Sequence, residues 1–450
     1  MEPKAFREYD IRGIAGKDIL DDDVVRMGRT FATYMRQQGR DRIVVGRDCR
    51  LTSKPFRDLL IQGLLAGGMD VVDIGVCPTP LLYFALRHLE REGGIMITAS
   101  HNPPEYNGFK ICNDFSTISG EEIQKLRRLM ESGKYADGRG KLNEYDIRIP
   151  YTEFVLSNIR IPKTLKVGLD AGNSVGGPVA LPLLEKLGCE VHPLYCDMDG
   201  TFPNHEPDPT VIENLKDLIA LVKRERLDVG IAYDGDGDRL GVVDHNGDVV
   251  YGDKLMLIFA REILTRHHGA TFVSEVKCSK TLYDDIRRRG GNAIMWRTGH
   301  SLIKAKMKEV DAALAGEMSG HMFFKDRYFG FDDGLYASFR LLEILAQTGA
   351  TLPQLLADVP VTHTTPEIRV ECPDEIKFHV VEKAKERFRA MKLDIIDVDG
   401  ARIVFDDGWG LVRASNTQPV LVLRYEANSA ERLDAIRQLV EGTIESIKNA

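Results

Sequence analysis

Residues Arg42 to Ser53 read RIVVGRDCRLTS, a short apolar strand running into a polar turn. The chain continues with PFRDLLIQGLLA to Ala66, a Gly67-Gly68 pair, and a second apolar stretch, MDVVDIG, from Met69. Apolar residues recur in the middle segment at steps of three and four, the period of a helix packed on one face. Glycine at its end is a stop signal. The order strand, helix, strand describes a βαβ unit, whose strands are parallel.

The pattern returns twice. TLKVGLDAGNSVG from Thr164 leads into GPVALPLLEKL, Gly188 and CEVHPLY. TFVSEVKCSK from Thr271 leads into TLYDDIRRR, Gly290-Gly291 and NAIMWRT. Each copy is followed by a third strand: GGIMIT from Gly93, DVGIAY from Asp228 and AALAG from Ala312. Three repeated α/β units with largely parallel sheets are expected. In such sheets ligands bind beyond the carboxyl ends of the strands. Past the third strand of the copies lie TASHNPPEYNG, DGDGDR and GEMSGH, so each unit offers one loop to a shared site.

The last stretch differs. EIRVEC reads as a strand, DEIKFHVVEKAKERFRAM as a helix, and ARIVFDD with GWGLVRAS as a hairpin. PVLVLRYEA is a further strand, and the terminal helix has Ser429 at its cap. This is a small α+β domain with RASNTQP between two strands. The expected domains are residues 1–145, 146–248, 249–361 and 362–450, with Pro360 and Pro366 marking a linker and a hinge at 360–366.

The 450 residues are too many for one ordinary core. A formal net charge of -8 makes nonspecific binding to nucleic acid or anionic membranes a poor expectation. No stretch approaches the ~20 apolar residues of a membrane span. The start, MEPKAFREYDIRG, lacks the apolar segment of a secretory signal. Seven scattered cysteines without a CxxC pair suggest reduced thiols in a cytoplasmic protein.

In DGDGDR, Asp234, Asp236 and Asp238 alternate with glycine, so three carboxylates can turn onto one hard cation such as Mg²⁺. An EF-hand would need glycine and glutamate where Arg239 and His245 stand. The plainer alternative is an acidic hairpin turn. In TASHN, Ser100 beside His101 at a strand end suggests an exposed nucleophile, but no GxSxG elbow supports a hydrolase. Lys110 downstream could move protons or neutralise phosphate. Glu317, Ser319 and His321 of GEMSGH suit vicinal sugar hydroxyls. Arg413, Ser415, Asn416 and Thr417 of RASNT offer a guanidinium fork and small donors suited to phosphate.

In this order the four loops, with YDIRG near the start, closely resemble the α-D-phosphohexomutase family, most of all its bacterial phosphomannomutase/phosphoglucomutase branch. The resemblance spans nearly the whole chain. It implies three similar mixed-sheet α/β domains and a C-terminal TATA-binding-like α+β domain around a central active-site cleft. It implies phosphorylated Ser100, with Asp234, Asp236, Asp238 and the serine phosphate holding Mg²⁺. His101, Lys110, Arg239, Arg12 and His300 take active-site positions. Lys277, Glu317, Ser319 and His321 contact substrate, and Arg413, Ser415, Asn416 and Thr417 clamp the distal phosphate. The implied reaction exchanges hexose 6-phosphate and 1-phosphate of mannose or glucose, with hexose 1,6-bisphosphate as intermediate and activator. A phosphoglucosamine mutase (which more often has glutamine where Met318 stands) and a Mg²⁺-dependent sugar phosphatase are the alternatives. The expected partners are small phosphosugars, with no nucleic acid or membrane, in a monomer or dimer.

Overall fold

Each repeat builds the same three-strand parallel core. Arg42–Arg47 lies between Asp70–Val76 and Gly93–Ile97. Lys166–Asp170 lies between Glu190–Leu194 and Val229–Tyr233. Thr271–Glu275 lies between Asn292–Trp296 and Leu314–Gly316. The computed structural model describes residues 1–415 and 418–448, and its strands form four sheets among them. The helices Ser53–Ala66, Gly177–Lys186 and Lys280–Arg288 join the first two strands of each repeat. After each comes a left-handed glycine: Gly68, Gly188 and Gly290, with φ of 83°, 90° and 82°. A side chain is disfavoured there, so the stop signal at each position is steric.

The sheets of the three repeats are mixed, as the resemblance implies, whereas the repeats read alone suggested largely parallel ones. Every third strand is followed by an antiparallel one: Tyr106–Asn113, Leu240–Asp244 and Met322–Phe324. The sheets are therefore mixed, and the reason is chain length. A parallel crossover needs about a dozen residues or more. The connections at 98–105, 234–239 and 317–321 are too short for one. The chain must reverse, and the reversal carries the polar loops. For 234–239 the hairpin and cation-loop alternatives thus coincide in one segment.

The first three units share a continuous apolar core that includes Phe84, Tyr151, Tyr233 and Leu335. Each such side chain removed from water contributes roughly 1.5–3 kcal/mol. The Tyr151 and Tyr328 hydroxyls both donate to the buried Asp333 carboxylate, at 2.9 and 2.7 Å. The last domain has its own core around Phe388, Leu423, Tyr425 and Val440. Its sheet is antiparallel throughout, and Ser429 Oγ accepts the Arg432 N–H at 3.2 Å to cap the final helix. It docks on the third unit through buried Arg402, which donates to the Cys278 carbonyl at 2.7 Å and stacks 3.7 Å from the Trp409 ring. Arg424 donates to the Lys277 carbonyl at 2.8 Å.

All seven cysteines are free thiols. Among the described residues no helix is long and apolar enough to cross a membrane.

Candidate active site

The Gly93–Ile97 and Val229–Tyr233 strands are buried at every residue, and the loops that follow them meet where Ser100 reaches Asp234. Ser100 Oγ donates to Asp234 Oδ2 at 2.9 Å and lies 3.0 Å from His101 Nδ1. Asp234, Asp236 and Asp238 are fully buried, and each offers an oxygen within 4.8 Å of the others. Lys110 Nζ donates to Asp236 Oδ2 and Asp238 Oδ2, both at 2.6 Å. Thr79 Oγ1 donates to Asp236 Oδ2 at 2.6 Å.

This cluster holds more negative charge than its neighbours neutralise. Burial, then the carboxylates of Asp238 and Asp236, pushes Asp234 well above the usual range. Burial also acts on Asp236, but Lys110 outweighs it and holds that group below its ordinary value. Lys110 is correspondingly raised: desolvation opposes its charge, and Asp236 and Asp238 more than offset it. Asp236 Oδ1 and Asp238 Oδ1 are buried without hydrogen-bond partners. Orphaned hard oxygens on converging carboxylates are the donor set of a divalent cation. Asp238, His321 and Asp332 also converge, but Lys304 already neutralises Asp332 at 2.8 Å.

The remaining loops join in sequence. The Arg239 main-chain N–H donates to Asp234 Oδ1 at 3.1 Å. Arg239 Nε donates to His321 Nε2 at 3.0 Å. Asp332, fully buried, stands 3.3 Å from His321 Nδ1 and 3.7 Å from His300 Nδ1. Burial and then Lys304 hold His300 well below its ordinary pKa. Glu317 Oε1 accepts the Gly299 N–H at 2.7 Å, and burial followed by the Glu275 charge raises its carboxyl. Lys277 lies 3.4 Å from Glu275 and donates to Glu367 at 3.0 Å, while Ser319 is half-buried in the turn between Glu317 and His321. Asp399 Oδ2 accepts from both Thr298 N at 3.0 Å and Arg413 Nε at 2.9 Å, which ties the last domain to this site. Arg12 reaches the Ser100 loop through Asn102. Ser415 is buried beside Arg413's strand, with its N–H on the Val420 carbonyl at 3.0 Å. Asn416 and Thr417 lie outside the described residues.

Residues 3–137, 150–247 and 251–362 match, in turn, alpha/beta/alpha domains I, II and III of phosphoglucomutase/phosphomannomutase. Residues 367–442 match the C-terminal domain of the same proteins. A phosphomannomutase/phosphoglucomutase of Pseudomonas aeruginosa is 45% identical over 445 residues, 99% of this chain and 96% of its own. The chain belongs to the phosphoglucomutase/phosphomannomutase family. A phosphoglucomutase of Neisseria meningitidis is 44% identical, covering 99% of this chain and 97% of its own. The crystal structure of a phosphoglucomutase/phosphomannomutase family protein from Burkholderia thailandensis superposes with a TM-score of 0.94 at 42% identity, covering 100% of this chain and 98% of its own.

Several residues of this family member's site escape the sequence patterns. Thr79, Glu275, Asp332 and Asp399 are lone polar residues with no motif around them. Asp48 and Arg50 lie in the RIVVGRDCRLTS segment, at the carboxyl end of the first strand, where the position alone is a signal.

Proposed function

We propose that this chain is a phosphohexomutase, interconverting hexose 6-phosphate and hexose 1-phosphate of mannose, glucose or both. The reaction would run through phosphorylated Ser100 and a hexose 1,6-bisphosphate, which also serves as activator. The observation that carries this reading is Ser100 Oγ at 2.9 Å from a buried loop of three carboxylates with unsatisfied oxygens. An acyl nucleophile has no use for such a loop; a phosphate carrier does.

Asp234, Asp236 and Asp238, with the phosphate on Ser100, would hold Mg²⁺, which when bound neutralises charge on the transferring group. In the forward step the P–Oγ bond breaks and a bond forms to O1 or O6 of the sugar. The sugar hydroxyl loses its proton and Ser100 Oγ gains one. Ser100 Oγ lies 3.0 Å from His101 Nδ1, so His101 is placed to relay that proton. Lys110, Arg239 and Arg12 supply positive charge around the phosphoryl oxygens, with His300 facing the sugar. The substrate must bind in two orientations. Lys277, Glu317, Ser319 and His321 would receive hydroxyls in either, while Arg413, Ser415, Asn416 and Thr417 grip the phosphate that is not reacting. The proposed domains are 1–145, 146–248, 249–361 and 362–450, one per loop.

The test is a product analysis. The protein is incubated with Mg²⁺, mannose 1-phosphate or glucose 1-phosphate, and a trace of hexose 1,6-bisphosphate. The mutase yields the 6-phosphate isomer. Free phosphate in its place would make the protein a sugar phosphatase, and conversion of glucosamine phosphate alone would move it to that substrate.

A further inference from the structure

Arg50 is 1% exposed, and its guanidinium spends all five N–H groups inside the protein. Nε donates to Asp48 Oδ2 at 3.1 Å. Nη1 donates to the carbonyls of Pro103 at 2.6 Å and Tyr106 at 3.2 Å. Nη2 donates to those of Ser100 at 2.7 Å and Asn102 at 2.6 Å. No donor remains for a substrate. Asp48 balances the charge and is itself fixed by the Arg50 N–H at 3.0 Å and by Ser53 Oγ. The Phe202 ring covers the guanidinium at 5.1 Å.

The loop so gripped has an unusual backbone. Ser100 stands at φ 52°, the left-handed region that residues with a side chain seldom occupy without support from their surroundings. The metal-candidate loop packs on the same carbonyl that Arg50 holds, since a Cβ at Gly235 would lie 2.2 Å from the Ser100 oxygen. The guanidinium therefore sits behind the loop, with Oγ directed to Asp234 in front.

We infer that Arg50 is a positioning residue for phosphoryl transfer, holding Ser100 Oγ in one place as the phosphate leaves and returns. The inference rests on the mutase reading. Phosphoryl transfer depends on alignment more than on covalent help from the protein. Arginine suits the role because its planar fork reaches several carbonyls at once, whereas lysine donates from a single atom.

Arg50→Lys and Arg50→Gln test it, with kcat and KM measured for glucose 1-phosphate and folding followed by circular dichroism. Arg50→Lys keeps a charge for buried Asp48 and should fold, while Arg50→Gln leaves that carboxylate unpaired and should fold with lower stability. The expected result is a fall in kcat of about 10²-fold, the scale of a roughly 1 Å misplacement. KM should stay within about threefold, since the contacts to the sugar are elsewhere. A folded Arg50→Lys with unchanged kcat would overturn the inference, as would a loss carried by KM alone. Failure of both variants to fold would also overturn it, by assigning Arg50 to the fold. The unmutated protein is assayed alongside: if it forms no isomer, the mutase reading has failed, whereas turnover there with unaltered variants counts against Arg50 only.

Discussion

Lys110 lies with its Nζ 2.6 Å from Asp236 Oδ2 and 2.6 Å from Asp238 Oδ2, all three side chains buried. Removing one partner of a buried ion pair strands the other charge, which costs about 3–5 kcal/mol. Lys110→Met should therefore lose about that much stability in chelator-treated protein. A bound dication would supply the missing charge, so at one Mg²⁺ concentration the variant should be stabilised more than the parent; a hundredfold excess over the variant's Kd stabilises it by about 2.7 kcal/mol. Urea unfolding with and without Mg²⁺ reads both effects, and equal Mg²⁺ responses in the two proteins would contradict the assignment. At this scale the legible residues are those that cluster in the chain. Asp234, Asp236 and Asp238 announce themselves by alternating with glycine, and Ser100 by its place beside histidine at a strand end. Arg50 does not, because four of its five acceptors are main-chain carbonyls, which any residue provides. Asp332 and Glu275 are single acids whose partners arrive from distant loops.

Among elements, the decisive contact is that between the 98–105 and 234–239 loops. Gly235 permits it: its N–H donates to the Pro207 carbonyl at 3.0 Å, and its missing side chain leaves room for the Ser100 carbonyl. Gly235→Ala would place a Cβ 2.2 Å from that oxygen, so the loops must separate. The expected outcome is a kcat lower by about 10²-fold with KM little changed, from steady-state assays with saturating Mg²⁺. Parent-like turnover would show that the loops need not touch. The repeat of strand, helix, glycine and strand was readable because periodicity and stop signals are local. The antiparallel return after each third strand was not, since a run of apolar residues carries no direction. Loop length held that information, and it decided the sheet type.

For the whole molecule, the site is assembled from all four sheets, and its contacts run from Ser100 through Asp234, Arg239, His321 and Asp332 to His300, then by Thr298 and Asp399 to Arg413. Such a site must admit and release sugar phosphate, so the linker at 360–366, where Val361 is 89% exposed, is the expected hinge. Hydrogen exchange there should slow when glucose 1-phosphate binds; equal exchange in both states would argue against it. Assembly also buries histidines. Burial, then Lys304, lowers His300, and burial, then Arg239, lowers His101, so both stay neutral when folded. The unfolded chain takes up their protons below about pH 6.5, so this stability is present above that pH and is lost as the pH falls through it. Urea midpoints should drop between about pH 7.5 and about pH 5.5, and His300→Gln should flatten the drop; an unchanged slope would remove His300 from the account. The central claim is that Ser100 carries a phosphoryl group between sugars. Protein labelled with ³²P at Ser100 is chased with unlabelled glucose 1-phosphate and Mg²⁺, with Ser100→Ala as control. The account predicts label leaving Ser100 for hexose bisphosphate and then hexose monophosphate, with no label taken up by the control. Label released as inorganic phosphate, or retained on the protein, would contradict it.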